Sequence, residues 1–488
     1  MLRIGGGRGG CVGKSADAWQ GFECRLFLPV SSLAANGAII ATKRFHSSDG
    51  ASKPHRVASI ARNGSVGSTA LTTTHFLLLY CAMLVASSGN TALQSVMPAI
   101  GREIGIDDFY VAVAYTWSAV LWVLLAPFWA EKSDHHGRKA LTMAGVSGFI
   151  LSMTLCGVAL FSGLHRWIGA GLTFGLFAVF RGIYGGLGCA TPSATQAYLA
   201  SKTRRGGRVA ALSALSSSFG LGTIIGPAVA PLFVLPVVGL AGPMFAFALI
   251  AAAVFVSILG WLPNDKAGRR VGHGAAMSYP SLASPPTGAS VTAATAPHRH
   301  SRLSWRDPRV RPWIIAGVVA GHAQAATLTC IGFFVIDRLG LPASRSEGPI
   351  AIVMMAGAVA TLGAQWLIIP RLNLNPRALI LSGALIASAG LVGTMLSNEL
   401  YGITIGFGVA SWGFGFTRPG YTAGASLAVP LAEQGAVAGV ITSANGISYV
   451  LAPGIGILLY GRHHELPFIA CALMLVLLAL VARRRLGD

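Results

Sequence analysis

Trp129-Ala-Glu-Lys-Ser-Asp-His-His-Gly-Arg-Lys139 is a short charged knot between two long apolar runs. Phe109 to Phe128 precedes it and Ala140 to Leu164 follows it, neither with a charged residue. Each run is long enough to cross a bilayer as a helix, which takes about 20 apolar residues. Glu131 to Lys139 is therefore expected to be a tight turn at a membrane face. Asp134 is expected just ahead of the second helix, where a carboxylate complements the helix dipole and accepts from free amides. It also stands four residues before Arg138, a spacing that suits an ion pair. Gly137 relaxes the backbone where the chain reverses. Arg138 and Lys139 mark that side as cytoplasmic, because basic residues accumulate in cytoplasmic loops.

The composition extends this reading to the whole chain. Of 488 residues, 53% are hydrophobic and 11% charged, a balance that excludes a soluble protein of this size and fits a polytopic membrane protein. The formal net charge of +20 would point to nucleic acid in a soluble protein. Here the basic residues cluster in loops and tails, so orientation and anionic lipid account for them and no nucleic-acid partner is expected. The seven cysteines have no paired or metal-ligand spacing; Cys81, Cys156, Cys189, Cys330 and Cys471 fall inside apolar runs and read as small packing residues.

Residues 1–72 are rich in Gly, Ser and Arg. They read as a cleavable targeting segment, a disordered basic tail or upstream sequence, and no function attaches to them. From His75 the apolar runs fall at roughly 75–97, 109–129, 138–162, 169–199, 208–234 and 239–262, then at roughly 312–336, 347–369, 377–396, 400–428, 435–459 and 465–482. Twelve spans place both termini on one side. Lys202–Arg208, Lys266–Arg311, Arg371–Arg377 and the tail at Arg483 all fall on the Lys139 side, so both ends are expected in the cytoplasm. The turn near Glu433 is out of pattern, with no Lys or Arg of its own. Residues 263–311 are rich in Ser, Pro, Ala and Gly and read as a linker between an N-terminal bundle, 73–262, and a C-terminal bundle, 312–485.

The halves repeat. Gly186-x-Gly188-x-x-x-Pro192 in the fourth run matches Gly413-x-Gly415-x-x-x-Pro419 in the tenth, and Gly226-Pro227 in the fifth has a counterpart in Ala452-Pro453 in the eleventh. Pro370-Arg371 and Pro376-Arg377 occupy the place of the charged knot without its Asp and Gly, so the second copy of the knot looks degenerate. Paired halves of this kind belong to transporters, whose substrate site lies near the midplane between them.

The spacing Asp134-x-x-Gly137-Arg138-Lys139 resembles the loop between helices 2 and 3 of the major facilitator superfamily, Gly-x-x-x-Asp-x-x-Gly-Arg-x-Arg/Lys. Ala130 replaces the first glycine here and Lys139 falls one place early. The resemblance implies a conformational latch at Asp134, Gly137, Arg138 and Lys139, not a binding site. Two further motifs follow in order. Arg181-x-x-x-Gly185-Gly-x-Gly-x-Ala190 resembles the helix-4 motif of that family, whose arginine is tied to proton coupling or substrate charge. Gly220-x-Gly222-x-x-x-Gly226-Pro227 resembles the antiporter motif of proton-coupled drug exporters, without its final glycines.

Physics supports each motif separately. An arginine in mid-span costs about 2.5–3.5 kcal/mol on insertion scales, and Arg181, a dozen residues deep, must face the bundle interior or water. Tyr184, one turn on, shares its surroundings. Gly222 and Gly226 let helices approach, and Pro227 bends the run. Asn90, Gln94, Gln324, Trp412, Asn445 and Tyr449 are expected to converge on a central cavity. No Asp or Glu occurs in the middle of any span, so His322 is the candidate proton carrier, histidine being the side chain that titrates nearest neutrality.

The sequence thus predicts an all-α membrane protein of 12 transmembrane helices in two pseudo-symmetric six-helix bundles. The expected function is proton-coupled efflux of small, lipophilic molecules from the bacterial plasma membrane by a monomer that needs no cofactor or metal. A symporter importing a small solute or organic acid is the alternative, and a non-transporting receptor or scaffold is the reading from another class. No nucleophile–base pair, metal cluster or phosphate loop points to an enzyme.

Overall fold

A computed structural model of the protein describes residues 72–203, 208–264, 304–372, 374–430 and 433–486. Residues 1–71 and most of the expected linker lie outside the described residues. Twelve helical rods are present among the described residues: α1 (Thr73–Ile104), α2 (Asp108–His136), α3 (Arg138–Leu164), α4 (Ala170–Ile183, continued by Ala190–Lys202), α5 (Arg208–Val229), α6 (Gly242–Trp261), α7 (Arg311–Leu339), α8 (Glu347–Gly363, continued by Ile369–Leu372), α9 (Pro376–Leu396), α10 (Leu400–Leu427), α11 (Gln434–Tyr460) and α12 (Leu466–Arg485). Ten of the helices are long and apolar enough to cross a membrane by length and composition. The other two, α10 and α11, match them in length with 28 and 27 residues.

The rods end where the sequence supplies caps. The Thr72 side chain accepts from the His75 amide and the His75 ring returns the bond, closing a capping box ahead of α1. Gly105 ends α1 in the left-handed region at φ 80°, and Asp107 then caps α2 by accepting from the Phe109 amide. Asn375 accepts from the Ala378 amide at 2.7 Å and starts α9. Large apolar side chains such as Leu124, Leu249, Val256 and Leu473 stay exposed along the rods, as a lipid-facing surface requires. Trp167 and Tyr401 are exposed at one end and Trp261, Trp305 and Trp366 at the other, where amphipathic rings meet the headgroups of a bilayer.

The two halves pack alike. In the first, α1 lies along α5 and α3 lies against α4 and α6; in the second, α7 lies along α11 and α9 lies against α10 and α12. The most extensive contacts between the halves are α2 with α11 and α5 with α8, and exchanging the halves turns each into the other; α1 also touches α7 and α8. This is the pseudo-symmetric arrangement that the Gly186/Gly413 repeat predicts.

The charged knot differs from its sequence reading. Helix α2 continues to His136, so Asp134 belongs to the last turn of α2 and is not a residue ahead of α3. At that end of a helix the dipole disfavours a carboxylate. The reversal consumes one residue, Gly137, at φ 88° and ψ 140°, a conformation that side chains disfavour strongly. The ends of the bundle are called below the Gly137 end and the Arg102 end.

Candidate functional site

Arg181 is completely buried at the last turn of the first segment of α4. Its Nη2 donates to Asn90 Oδ1 of α1. Its guanidinium carbon stands 4.6 Å from the Tyr184 ring centroid and 5.5 Å from that of Tyr115 on α2, two cation–π contacts on a desolvated charge. The chain forms this pocket through a π turn, Tyr184–Gly188, directly after Arg181. Such turns recur at functional sites because they rotate side chains out of α register. A Cβ on Gly188 would fall 2.4 Å from the Tyr184 ring, so the glycine makes room for that ring. Tyr184 then packs between Trp122 and Phe149. Trp129 Nε1 donates to Gly186 O, a carbonyl within the π turn, at 2.6 Å.

Beside this group lies a cavity of about 60 Å³ between the halves, with Gln94, Tyr115, Leu328, Phe333 and Tyr449 in its wall. A second cavity of about 20 Å³, which shares Leu328 and Met354, is lined by Gln324, Thr361 and Phe407. Pockets for drug-sized ligands run from about 300 Å³ upward, so neither of these two cavities would hold one as it stands. Gln94 and Tyr449 line the first of these cavities and Gln324 the second. Asn90 instead holds Arg181, and Trp412 packs against Phe416 and Ala364 within the second half. His322 Nδ1 donates to Val318 O at 2.8 Å and stands 3.1 Å from Ser448 Oγ of α11. The side chains of Asn445 and Asp134 lie outside the described residues.

The Arg102 end carries a constellation that the sequence reading passed over. Arg102, in the last turn of α1, donates through Nε and Nη2 to both oxygens of Asp108, each at 2.6 Å. The same guanidinium donates through Nη1 and Nη2 to both oxygens of Asp337 at the end of α7, each at 3.0 Å. Tyr460, the last residue of α11, donates to Asp337 Oδ2 at 2.6 Å. The His464 ring stacks on Tyr460 at 4.8 Å and holds Nε2 3.8 Å from Asp337. Arg102 thus joins α1 and α2 of one half to α7 of the other. The available signal in the sequence was an arginine closing a span on the side otherwise poor in basic residues.

At the Gly137 end the latch residues are placed individually. Arg138 is buried, and Thr142 Oγ1 donates to its carbonyl. Lys139 Nζ donates to Leu259 O near the end of α6 at 2.9 Å, where a cation complements the helix dipole. Arg377, at the start of α9, does the same for α12 by donating to Arg483 O at 2.7 Å. The second half therefore keeps one function of the knot although it has lost the knot's Asp and Gly. Arg309 meets Glu433 at 3.0 Å and Asp307 at 2.7 Å, which supplies the α10–α11 turn with the basic partner its own sequence lacks. Asp307 is held below the usual carboxylate range, chiefly by the Arg309 side-chain hydrogen bond.

On the α5 side, Gly222 and Gly226 face α1 at close range. A Cβ on Gly226 would lie 2.1 Å from Thr91 Oγ1 and 2.3 Å from Ser88 O, so α5 is in backbone contact with α1. Thr91 Oγ1 donates to Gly222 O at 3.1 Å across that contact. Pro227 lies within α5, which passes into a 3₁₀ turn, Ala230–Phe233, three residues later.

Twelve helical rods among the described residues, in two matched halves around a small central cavity, define a membrane transporter fold. The Major Facilitator Superfamily model matches residues 79–453, and the chain belongs to that family. Among relatives, the multi-drug resistance efflux pump PmrA of Streptococcus pneumoniae is 29% identical over 135 residues, 27% of this chain and 31% of that protein. The multidrug resistance protein MdtG of Proteus mirabilis is 24% identical over 187 residues, 37% of this chain and 42% of that protein. The chain thus matches less than half the length of these relatives. Among solved structures, the crystal structure of the human organic anion transporter MFSD10 (TETRAN) aligns with a TM-score of 0.57 at 15% identity, over 84% of this chain and 99% of that one.

Proposed function

We propose that the protein exports small, lipophilic molecules across a bacterial plasma membrane by proton-coupled alternating access, as a monomer with both termini in the cytoplasm. The Gly137 end is then cytoplasmic and the Arg102 end faces outward. The observation that carries the reading is the double grip of Arg102, which shuts the outward end over a cavity too small for substrate. Export requires residues 73–262 and 312–485 to rock as two bodies, parting Arg102 from Asp337. Lys139 and Arg377 support such bodies, because each ties the third rod of its half to the sixth. The drug-efflux names of PmrA and MdtG and the Gly226-Pro227 motif favour export. The latch residues Asp134, Gly137, Arg138 and Lys139 would control the cytoplasmic end, and His322 would carry the proton.

Purified protein in liposomes tests this. Accumulation of a lipophilic dye in inverted vesicles that collapses with the pH gradient is expected. Flux in the opposite direction would establish the import reading, and no substrate-dependent flux would leave a receptor or scaffold.

A further inference from the structure

We propose that the turn between α5 and α6, residues 230–241, is a lipid-binding surface. It lies in the bilayer where headgroups meet acyl chains, on the Arg102 side, and anchors the first half there. The inference is independent of what the protein transports and in which direction.

The sequence sets this turn apart. From Ile224 to Val256 there is no polar side chain. Six turns close the Arg102 end among the described residues, and the other five carry charge: Asp107 and Asp108, Arg166, Arg345, Glu399, and the run Arg462-His463-His464-Glu465. That last turn joins α11 to α12 and is the counterpart of the α5–α6 turn in the second half. One place in the repeat is thus occupied by charged residues in one half and by apolar residues in the other.

Water is a poor surrounding for such a turn. Leu232, Leu235 and Val237 are 71%, 53% and 79% exposed, and nothing polar stands among them. Exposed apolar residues also run down α6, at Leu249, Val256 and Leu259, to Trp261 at its far end.

The backbone suits lipid as well. Hydrocarbon tolerates a chain only where its polar groups are satisfied internally. Here the Val234 amide donates to Pro231 O, that of Leu235 to Phe233 O, those of Val238 and Gly239 to Leu235 O, and that of Ala241 to Val238 O. Pro231 and Pro236 have no amide hydrogen to satisfy. Phe233 packs against Phe247 of α6, and a Cβ on Gly242 would collide with Phe233 O. The turn therefore folds back onto α6 in backbone contact.

The depth agrees. α6 has 20 residues, and at about 1.5 Å per residue it spans about 30 Å, the thickness of the hydrocarbon layer. The exposed Trp261 ends it at headgroup level on the Gly137 side. Gly242 then reaches the opposite edge of the hydrocarbon, and the turn occupies the boundary layer beyond. Lipid suits this surface better than a second copy of the chain, because a stable protein interface takes about 20–30 residues from each side. The first segment of the turn, Ala230–Phe233, touches α1 of its own half and α8 of the other, so lipid borders the α5–α8 junction at this end.

The test uses the full chain in phosphatidylethanolamine–phosphatidylglycerol liposomes, with Cys11→Ser, Cys24→Ser and Cys81→Ser, the other four cysteines being buried. A nitroxide is attached at Val237→Cys or, in the charged counterpart turn, at the exposed His463→Cys. Relaxation of the nitroxide by oxygen, which concentrates in lipid, is compared with relaxation by a water-soluble nickel chelate. The oxygen-to-nickel ratio is expected to be at least tenfold higher at residue 237 than at residue 463. Leu232→Cys should match Val237→Cys, and it decides the matter if Val237→Cys does not fold. A ratio at residue 237 equal to that at residue 463 would put the turn in water and overturn the inference. Weak relaxation by both reagents would mean that protein, a second copy or another chain, covers the turn, and would overturn it equally.

Discussion

Arg102 and Asp337 face each other across the two halves of the molecule, 235 residues apart in sequence, with two hydrogen bonds of 3.0 Å between them. Both side chains are partly exposed, so solvent weakens the pair, while its bidentate geometry and the Tyr460 hydroxyl strengthen it. Asp337→Asn should weaken the closure by about 1–3 kcal/mol, the value for hydrogen bonds to charged groups reduced for partial exposure. A cysteine placed at Thr329 in the cavity wall would then react with an impermeant maleimide from the Arg102 side roughly five-fold to a hundred-fold faster than in the same background with Asp337 intact. An unchanged rate would show that this contact does not hold the end shut.

Gly137→Ala tests the single-residue reversal. The φ of 88° and ψ of 140° should cost an alanine about 1–3 kcal/mol. The expected outcome is a lower midpoint of thermal unfolding in detergent, with the α2–α3 turn more readily cut by protease. An equal midpoint would mean that α2 can end elsewhere without loss.

Gly226 and Gly454 make a matched pair of substitutions. An alanine methyl at Gly226 meets Thr91 and Ser88, whereas at Gly454 nothing lies within 4 Å. Gly226→Ala should force α5 away from α1 and lower the yield of monodisperse protein severalfold. Gly454→Ala, also in a helix, should be neutral or slightly stabilising, because alanine favours helix over glycine by about 1 kcal/mol. Size-exclusion profiles of the two variants give the comparison.

Asp307 gives a pH-dependent effect of defined sign. Its folded-state pKa is depressed by Arg309, so the contribution is fully present above the ordinary carboxylate pKa of 3.8 and is lost as pH falls through the lower, folded value. The difference in unfolding midpoint between wild type and Asp307→Asn should thus be constant from about pH 5 upward and shrink below about pH 4. The pair is exposed, so the difference will be small. A difference that grows toward acid would contradict the assignment.

The spans and their repeat were legible because apolar length and small-residue spacing are local properties. Arg181 was legible for the same reason, since a charge in mid-span stands out in one dimension. Its partners Asn90 and Tyr115 were harder, because three rods must first be assembled before they meet. The Arg102 constellation was illegible for that reason: its members come from the ends of α1, α2, α7 and α11, and each alone is an ordinary boundary residue. Asp134 was misplaced because charged residues were taken to end a helix. Lys132 and its neighbours instead continue α2 until the glycine, which alone permits the turn. Arg377 was undervalued because its counterpart Lys139 acts by reaching a backbone carbonyl, a target that no sequence pattern records.

The grip of Arg102 is lopsided, and that makes it a good clasp. Asp108 belongs to the same half as Arg102 and is held more tightly, at 2.6 Å against 3.0 Å. When the halves part, the guanidinium departs with a carboxylate already in hand. Asp337 keeps the Tyr460 hydroxyl and has the His464 ring at its shoulder. If the halves rock apart as proposed, neither side is stranded, and the door would swing without leaving a naked ion at its hinge.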